Sequence, residues 1–247
     1  VTVRFANTST ISGTFNSYLE LYDSTGTRIA SASIGYPDYG KLEKKLTSSG
    51  NFYLLLTDSS RDGTGTYSLS LQRTNNPGAA TSLNFGQTTS GSIDSFAKMD
   101  TYSFSASTND KVYIVFNTLT QASGSFGPYL ELYDSTGTKI AYAYTGYPHY
   151  GVLSVSITNA GNLCLVVSDE GLNGTGTYEL TLQRTNNPAN PTSLSFGQTT
   201  SGTITTITSP CNDECVNAVL LSVGASGACS NTAGSSVGGT MSAGSGS

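Results

Sequence analysis

Apolar and polar residues alternate with a period of two along most of the chain, most regularly between residues 81 and 191. Alternation of this kind is typical of strands with one face in a core and the other in solvent. No stretch shows a convincing helical period. The apolar members of these segments are Tyr102, Phe104, Ala106, Val112, Ile114, Phe116, Leu130, Leu132, Leu153, Val155, Ile157, Leu163, Leu165, Val167, Tyr178, Leu180 and Leu182.

Two further strands are predicted, an opening strand around residues 83–93 and a hairpin partner around residues 139–144. The total is about eight strands, which is usual for a sandwich or jelly roll of this size. The turn Asp134-Ser-Thr-Gly137 fits a type I turn followed by a glycine in the left-handed region, with a bulge where the chain re-enters the sheet. We therefore predict an all-β fold of tandem antiparallel β-sandwich units, jelly-roll-like in type.

The pattern returns after a fixed interval of 111 residues, without insertion or deletion. The segment Tyr18-Leu-Glu-Leu-Tyr-Asp-Ser-Thr-Gly-Thr27 recurs in full as Tyr129-Leu-Glu-Leu-Tyr-Asp-Ser-Thr-Gly-Thr138. Gly63-Thr-Gly-Thr-Tyr67 recurs at Gly174, and Leu71-Gln-Arg-Thr-Asn-Asn-Pro77 recurs at Leu182. A period of this length indicates one domain per repeat.

The repeats divide the chain into three segments. Residues 81–191 form a complete sandwich, whereas residues 1–80 form one without its first two strands, because Val1 aligns with Val112. Residues 192–247 contain the opening strand of a further repeat and a Cys-containing, Gly/Ser-rich segment. That last segment either starts another sandwich or is exchanged with a neighbour. A piece of a longer array is favoured over strand donation between chains, since a sandwich without two strands exposes an apolar edge.

Composition narrows the possible partners. Lys and Arg number 11 and Asp and Glu 16, so the net charge is −5. This balance argues against nucleic acid and anionic membrane surfaces, and no apolar run approaches the roughly 20 residues of a spanning helix. The chain has 15 Tyr and no Trp, with few charges and many Ser and Thr residues. This style is typical of a bacterial extracellular or cell-surface protein.

The cysteines are unevenly placed. Cys164 stands alone in the second repeat, where the first has Tyr53, which favours a packed strand residue. Cys211, Cys215 and Cys229 cluster near the end. Cys-x3-Cys without a nearby His is a poor zinc pattern, and exported proteins form disulfides. We predict a disulfide between Cys215 and Cys229.

Four motifs follow one another at fixed spacing in the complete repeat. They are Phe85-Gly-Gln-Thr-Thr-Ser-Gly-Ser-Ile93, Met99-Asp-Thr-Tyr-Ser-Phe104, Leu130-Glu-Leu-Tyr-Asp-Ser-Thr-Gly137 and Gly174-Thr-Gly-Thr-Tyr-Glu-Leu180. Their order and spacing resemble the bacterial pre-peptidase C-terminal domain. The similarity covers residues 1–191 and the start of another copy at 192–204. The resemblance implies small β-sandwiches, often in tandem, on secreted proteases and other exported proteins, some of which bind calcium.

Two acidic loops are candidate calcium sites. Asp58 and Asp62 lie in one loop, and its sister loop contains Asp169, Glu170 and Asn173. Calcium takes six to eight oxygen ligands, which such turns can supply. The alternative, which we favour, is that the side chains cap tight turns by accepting hydrogen bonds from backbone amides. No other cofactor is expected.

Two sister loops each carry a pair of tyrosines around a proline. The tyrosines are Tyr36 and Tyr39 in one loop and Tyr147 and Tyr150 in the other. Rigid aromatic platforms of this kind anchor interfaces or stack on sugars. The rings either cover their own sheet, contact another domain or subunit, or bind surface glycans.

Catalytic motifs are not evident. The single histidine is His149, and the matching position in the first repeat holds Asp38. We therefore expect no enzyme activity, but a structural or adhesive repeat protein that builds a surface stalk or filament from copies of itself. One alternative is an accessory module of an exported hydrolase, for substrate binding or secretion. The other is a carbohydrate-binding protein that uses the Tyr-Pro loops.

Overall fold

The computed structural model describes residues 1–35, 38–145 and 149–202, together with the backbone of residues 219–221. Every helix-or-strand element in this part of the chain is a strand, so the all-β prediction is confirmed. None of the described residues forms a helix long and apolar enough to cross a membrane. We call residues 1–80 unit one and residues 81–191 unit two.

Unit two is built from two sheets. Its strands are β7 (Thr81–Ser82), β8 (Gln87–Ile93), β9 (Asp100–Ala106), β10 (Lys111–Ser123), β11 (Pro128–Tyr133), β12 (Lys139–Tyr144), β13 (Tyr150–Ser156), β14 (Gly161–Asp169) and β15 (Thr175–Arg184). One sheet has four strands in the order β13-β10-β15-β8, and the other has five in the order β12-β11-β14-β9-β7. All neighbours are antiparallel except the short pair β7 and β9.

The opening strand of unit two differs from the prediction of one strand over residues 83–93. The chain forms β7 in the five-stranded sheet and then crosses to β8 in the four-stranded sheet. Gly86, with φ +80°, lies at this crossing. Glycine adopts that left-handed conformation without the steric cost that a Cβ atom imposes. The segment predicted as one strand therefore contributes a strand to each sheet.

Unit one repeats this architecture with fewer strands. Its strands are β1 (Thr2–Ser12), β2 (Ser17–Tyr22), β3 (Arg28–Ser33), β4 (Tyr39–Glu43), β5 (Tyr53–Asp58) and β6 (Thr64–Gln72). Its sheets have the orders β4-β1-β6 and β3-β2-β5. Among the described residues neither sheet contains a strand equivalent to β7, β8 or β9, so β6 and β5 lie at sheet edges. Two short strands follow unit two, the parallel pair β16 (Thr192–Leu194) and β17 (Val219–Leu221).

Each unit has its own core between its two sheets. In unit two the core includes Phe116, Leu132 and Tyr178, all fully buried. In unit one the buried core is smaller and centres on Phe5 and Leu19. The smaller core follows from the three missing strands, because apolar residues on β5 and β6 have no neighbour to cover them.

The predicted turn at Asp134 is confirmed in detail. The carboxylate oxygen Oδ1 of Asp134 accepts hydrogen bonds from the amides of Thr136 and Thr138, at 2.9 and 3.0 Å. Gly137 has φ +82°, and the strand register shifts between Leu132 and Tyr133 as the chain re-enters the sheet. This shift is the bulge that the sequence predicts after a type I turn.

Candidate functional site

The two units meet through the outer faces of two sheets. Side chains alternate across a strand, so Arg4 of β1 points away from the core that contains Val3 and Phe5. Likewise, Glu131 of β11 points away from the core that contains its two neighbours in sequence. Outward residues on a free sheet are exposed, yet Arg4 is only 2% and Glu131 0% exposed. The outer face of unit one therefore covers the outer face of unit two.

Glu131 is the centre of this interface. Its carboxylate accepts hydrogen bonds from the guanidinium of Arg4 and the ammonium of Lys41, both from unit one. A third cation, Lys139 of unit two, lies 2.9 Å from Oε1. A buried carboxylate is stable only when its charge is matched by partners of this kind. The carboxylate thus joins two domains through charge-assisted hydrogen bonds.

A second carboxylate, Glu43, completes the arrangement. Lys41 lies 2.7 Å from its Oε1 atom and Lys139 lies 3.7 Å from Oε2. The hydroxyl of Tyr133 lies 2.8 Å from Glu43 and 3.1 Å from Glu131. We call Arg4, Lys41, Glu43, Glu131 and Lys139 the interface charge cluster.

The interface charge cluster shifts the acidity of its members. Burial alone would raise the pKa of Glu131, but the charges and hydrogen bonds of Arg4, Lys41 and Lys139 outweigh it and lower the pKa to about 2. Burial also raises the pKa of Tyr133, and the Glu131 charge adds to the effect. The glutamate is therefore ionised and the phenol protonated at neutral pH.

The lowered pKa of Glu131 predicts acid sensitivity. The ordinary value of 4.5 applies to the unfolded chain and about 2 to the folded one, so the native state binds fewer protons. The stability contributed by Glu131 is fully present above about pH 4.5 and is lost as the pH falls towards 2. Urea unfolding at several pH values measures this loss. Between about pH 4.5 and 2 the free energy of unfolding should fall less steeply in Glu131→Gln than in the wild type. An equally steep fall would show that Glu131 is not the group responsible.

Apolar residues border the charges on two sides. One cluster joins Ala6 of unit one to Ala97 and Leu172 of unit two, with Tyr39 packed against it. The other contains Tyr133, Cys164 and Val166 on the outer face of unit two. Cys164 is a buried free thiol, as its strand position predicts, and burial raises its pKa to about 12. These groups exclude water from the edges of the charged contact.

Sequence reasoning missed the interface charge cluster, although the repeat contains a signal for it. At the positions of Arg4, Lys41 and Glu43, the second copy has Val115, Val152 and Ser154. Three charged residues on one outward face of one copy, absent from its sister, distinguish that face. The copies are otherwise closely matched along the turn and core motifs, so such a difference indicates a surface with its own partner.

The candidate calcium loops contain carboxylates already occupied by backbone amides. Asp169 accepts hydrogen bonds from the amide of Gly127 at 2.9 Å and from those of Asn173 and Gly174 at 3.0 and 2.8 Å. Asp58 makes the equivalent bonds to Asn16, Asp62 and Gly63, at 2.7 to 3.0 Å. These contacts are the turn-capping arrangement. Calcium binding stays a prediction.

The other members of these loops do not converge on one point. Asp62 and Glu170 are largely exposed. Partial burial, with the nearby Asp169 charge, raises the pKa of Glu170. Asn173 contributes its backbone amide to Asp169. Among the described residues no group of three or more His, Cys, Asp or Glu side chains is placed to hold a metal.

Replacing Asp169 by Asn tests its role as a loop cap. The amide side chain retains one acceptor but turns an NH2 group towards amide donors, so buried hydrogen bonds are lost. We expect the free energy of unfolding to fall by about 2 kcal/mol. Asp58→Asn should have a smaller effect, because unit one is more open. Thermal melts with millimolar calcium and with a chelator separate capping from metal binding. A wild-type melting temperature that rises with calcium, but not in Asp169→Asn, would favour the metal.

Only some of the tyrosines and cysteines predicted as site residues lie in the described part of the chain. Tyr39 packs at the inter-unit interface, whereas Tyr150 is 38% exposed. Tyr36 and Tyr147 lie outside the described residues, and so do Cys215 and Cys229. The predicted disulfide and the complete Tyr-Pro platforms therefore stay predictions.

No catalytic arrangement is assembled in the part of the chain that the structure describes. His149 is exposed and has φ +76°, which marks a turn position. A groove at the junction of the units is lined by Lys44, Lys45, Arg73 and Lys139 among others. Its lining contains no serine, cysteine or histidine, so it has no nucleophile paired with an imidazole base.

Comparisons with known proteins find only weak structural similarity. No family model and no curated protein matches the chain. Among solved structures, the pre-peptidase C-terminal domain of collagenase from Bacillus anthracis is similar, with 22% identity over 44% of this chain and 99% of that one, at a TM-score of 0.37. A periplasmic inhibitor of g-type lysozyme from Aeromonas hydrophila matches with 8% identity over 42% of this chain and 96% of that one, at 0.28. At these scores neither structure assigns a function to this chain.

Proposed function

We propose that this protein is a non-enzymatic structural or adhesive element of the bacterial cell surface, in which repeated sandwich units form a stiff stalk or filament. The observation that carries the proposal is the buried interface charge cluster, which joins unit one to unit two. A flexible pair of tethered domains needs no such contact. A stalk does, because it must keep the same angle between successive domains under load.

The chemistry of the cluster suits orientation more than stability. Removing charges from water is costly, and a buried ion pair repays the cost only when its geometry is good. Rotation of one unit against the other would separate Arg4 and Lys41 from Glu131 and leave a buried charge unpaired. The interface therefore favours one arrangement of the two units.

Exposed hydroxyl pairs on the sheets support a role outside the cell. Hydroxyl pairs join neighbouring strands at matched positions of both units. Ser9 bonds Thr66 and Thr120 bonds Thr177, each at 2.7 Å. Neutral pairs of this type are insensitive to salt, unlike surface ion pairs, whose attraction is screened. A surface dominated by such groups suits an environment of variable ionic strength.

Electron microscopy tests the proposal. An antibody against the chain, with immunogold detection, should label extended structures on the producing cell, and purified material should contain rods or fibres. Label confined to the cytoplasm, or only dispersed compact monomers after purification, would contradict the proposal. A catalytic domain in the same polypeptide would instead favour an accessory module, and a signal on glycan arrays lost in Tyr150→Ala would favour sugar binding.

A further inference from the structure

We propose that one small monovalent anion of the halide class binds in the buried layer between the two units, where Nη1 of Arg4 and the hydroxyl of Thr2 hold it. The inference goes beyond the proposed function, because it concerns a ligand of the interface and needs no filament. It rests on two buried donors without acceptors, on their position beside the interface charge cluster and on the charge of that cluster.

Two donor atoms at the interface are buried without a hydrogen-bond partner among the described residues. They are Nη1 of Arg4 and Oγ1 of Thr2. Arg4 is 2% exposed and Thr2 0%, so bulk water does not serve them. The other terminal nitrogen of Arg4, Nη2, already donates to Glu131. A buried donor without an acceptor is costly, and such a pair in a folded protein indicates a bound water molecule or an ion.

The two donors belong to one block of side chains. Thr2 and Arg4 lie on either side of Val3 along β1, so they share its outer face. On the neighbouring strand β4, Glu43 lies directly opposite Thr2 and Lys41 directly opposite Arg4. Side chains in such opposite positions have Cβ atoms about 4.5–5.5 Å apart. An ion that contacts both donors therefore lies within the interface charge cluster.

The charge of the cluster favours an anion over a water molecule. Three cations, Arg4, Lys41 and Lys139, face the two carboxylates of Glu43 and Glu131, which leaves one positive charge over. Burial lowers the pKa of Lys41, and repulsion by the Arg4 charge adds to the effect. Excess charge away from water is unfavourable unless it is paired. One halide balances it and accepts from both donors, whereas a water molecule brings two hydrogens that need acceptors of their own.

Both donors belong to unit one, and unit two covers them. When the units separate, water reaches Thr2 and Arg4, so the anion binds only the docked arrangement. A ligand of one state stabilises that state in proportion to its concentration and affinity. The second repeat has no equivalent site, since it carries Tyr113, Val115, Val152 and Ser154 at the four positions of the block. The site is therefore a property of the junction and not of the sandwich fold.

Thr2→Val separates the anion from the rest of the interface. Valine has nearly the shape of threonine but no hydroxyl, so in a chloride-free buffer the variant should be at least as stable as the wild type. In chloride the wild type should gain stability and the variant should gain less. The matched control is Thr74→Val, because Thr74 is also buried at the junction but donates to the carbonyl of Gly137 at 3.2 Å. It should be less stable than the wild type in both buffers and respond to chloride as the wild type does.

Thermal melts in sodium chloride and sodium gluconate at equal ionic strength measure the response, because charge screening is then the same in both buffers. The gain in melting temperature on going from gluconate to chloride should be larger in the wild type than in Thr2→Val by about 2–4 °C. Effects of the two salts on the protein surface act on all three proteins alike and cancel in this difference. Equal gains in the wild type and Thr2→Val would overturn the inference.

Anomalous diffraction from crystals of the whole chain grown in bromide locates the ion. One bromide peak in contact with Arg4 and Thr2, absent in Thr2→Val, is the expected result. Density for a water molecule at this place, without anomalous signal, overturns the inference. Either negative result leaves the proposed function in place, because that function depends on the contact between the units and not on the anion.

Discussion

Glu131→Gln should destabilise the protein by about 3–5 kcal/mol, the largest effect that we expect from a single substitution. The substitution removes one of the two carboxylates of the interface charge cluster and leaves Arg4, Lys41 and Lys139 with Glu43 alone. Breaking a buried pair leaves uncompensated charge away from water, and this cost is of that size. Chemical unfolding monitored by tyrosine fluorescence and circular dichroism measures the change.

The first repeat provides the control for this substitution. Glu20 occupies the matched position and pairs with Arg28, whose side chain is mostly exposed. Glu20→Gln removes the same chemical group, but the one cation that it leaves behind, Arg28, is 53% exposed, so water replaces the lost partner. Its effect should be much smaller. Equal losses for Glu20→Gln and Glu131→Gln would show that burial between the units does not make Glu131 special.

Leu182→Ala should cost about 2–5 kcal/mol, the usual range for removing a buried leucine side chain. Leu182 is fully buried in the core of unit two. The matched substitution, Leu71→Ala, removes the same atoms from a side chain that is more than half exposed. In the dilute chain it should have little effect, because water already covers that leucine.

Differential scanning calorimetry of the two variants in dilute solution measures this contrast. A loss of several kcal/mol for Leu71→Ala, as large as that for Leu182→Ala, would contradict the difference in burial between the two leucines.

The fold could be predicted from sequence because its signals are local. The alternation of Leu130 and Leu132 with Glu131 defines a strand and its two faces, and the Asp134 turn follows from residue types at fixed positions. Alternation identifies the residues that face a core. It does not show whether the opposite face is exposed to solvent or packed against another unit.

The interface was beyond this reasoning because its partners are distant in the chain. Arg4 and Glu131 are separated by 127 residues, and each taken alone is an ordinary outward charge on a strand. Only packing of one unit on the other makes them a pair. The acidic loops show the opposite case, since the favoured reading of Asp169 as a turn cap needed only its local sequence.

A double-mutant cycle between Arg4 and Glu131 measures whether the interface charge cluster joins the two units. The loss of unfolding free energy in the double variant Arg4→Met with Glu131→Gln should be smaller than the sum of the two single losses. We expect a coupling of about 0.5–3 kcal/mol, because the guanidinium and the carboxylate are in direct contact. Losses that simply add would show that this contact does not hold the units together.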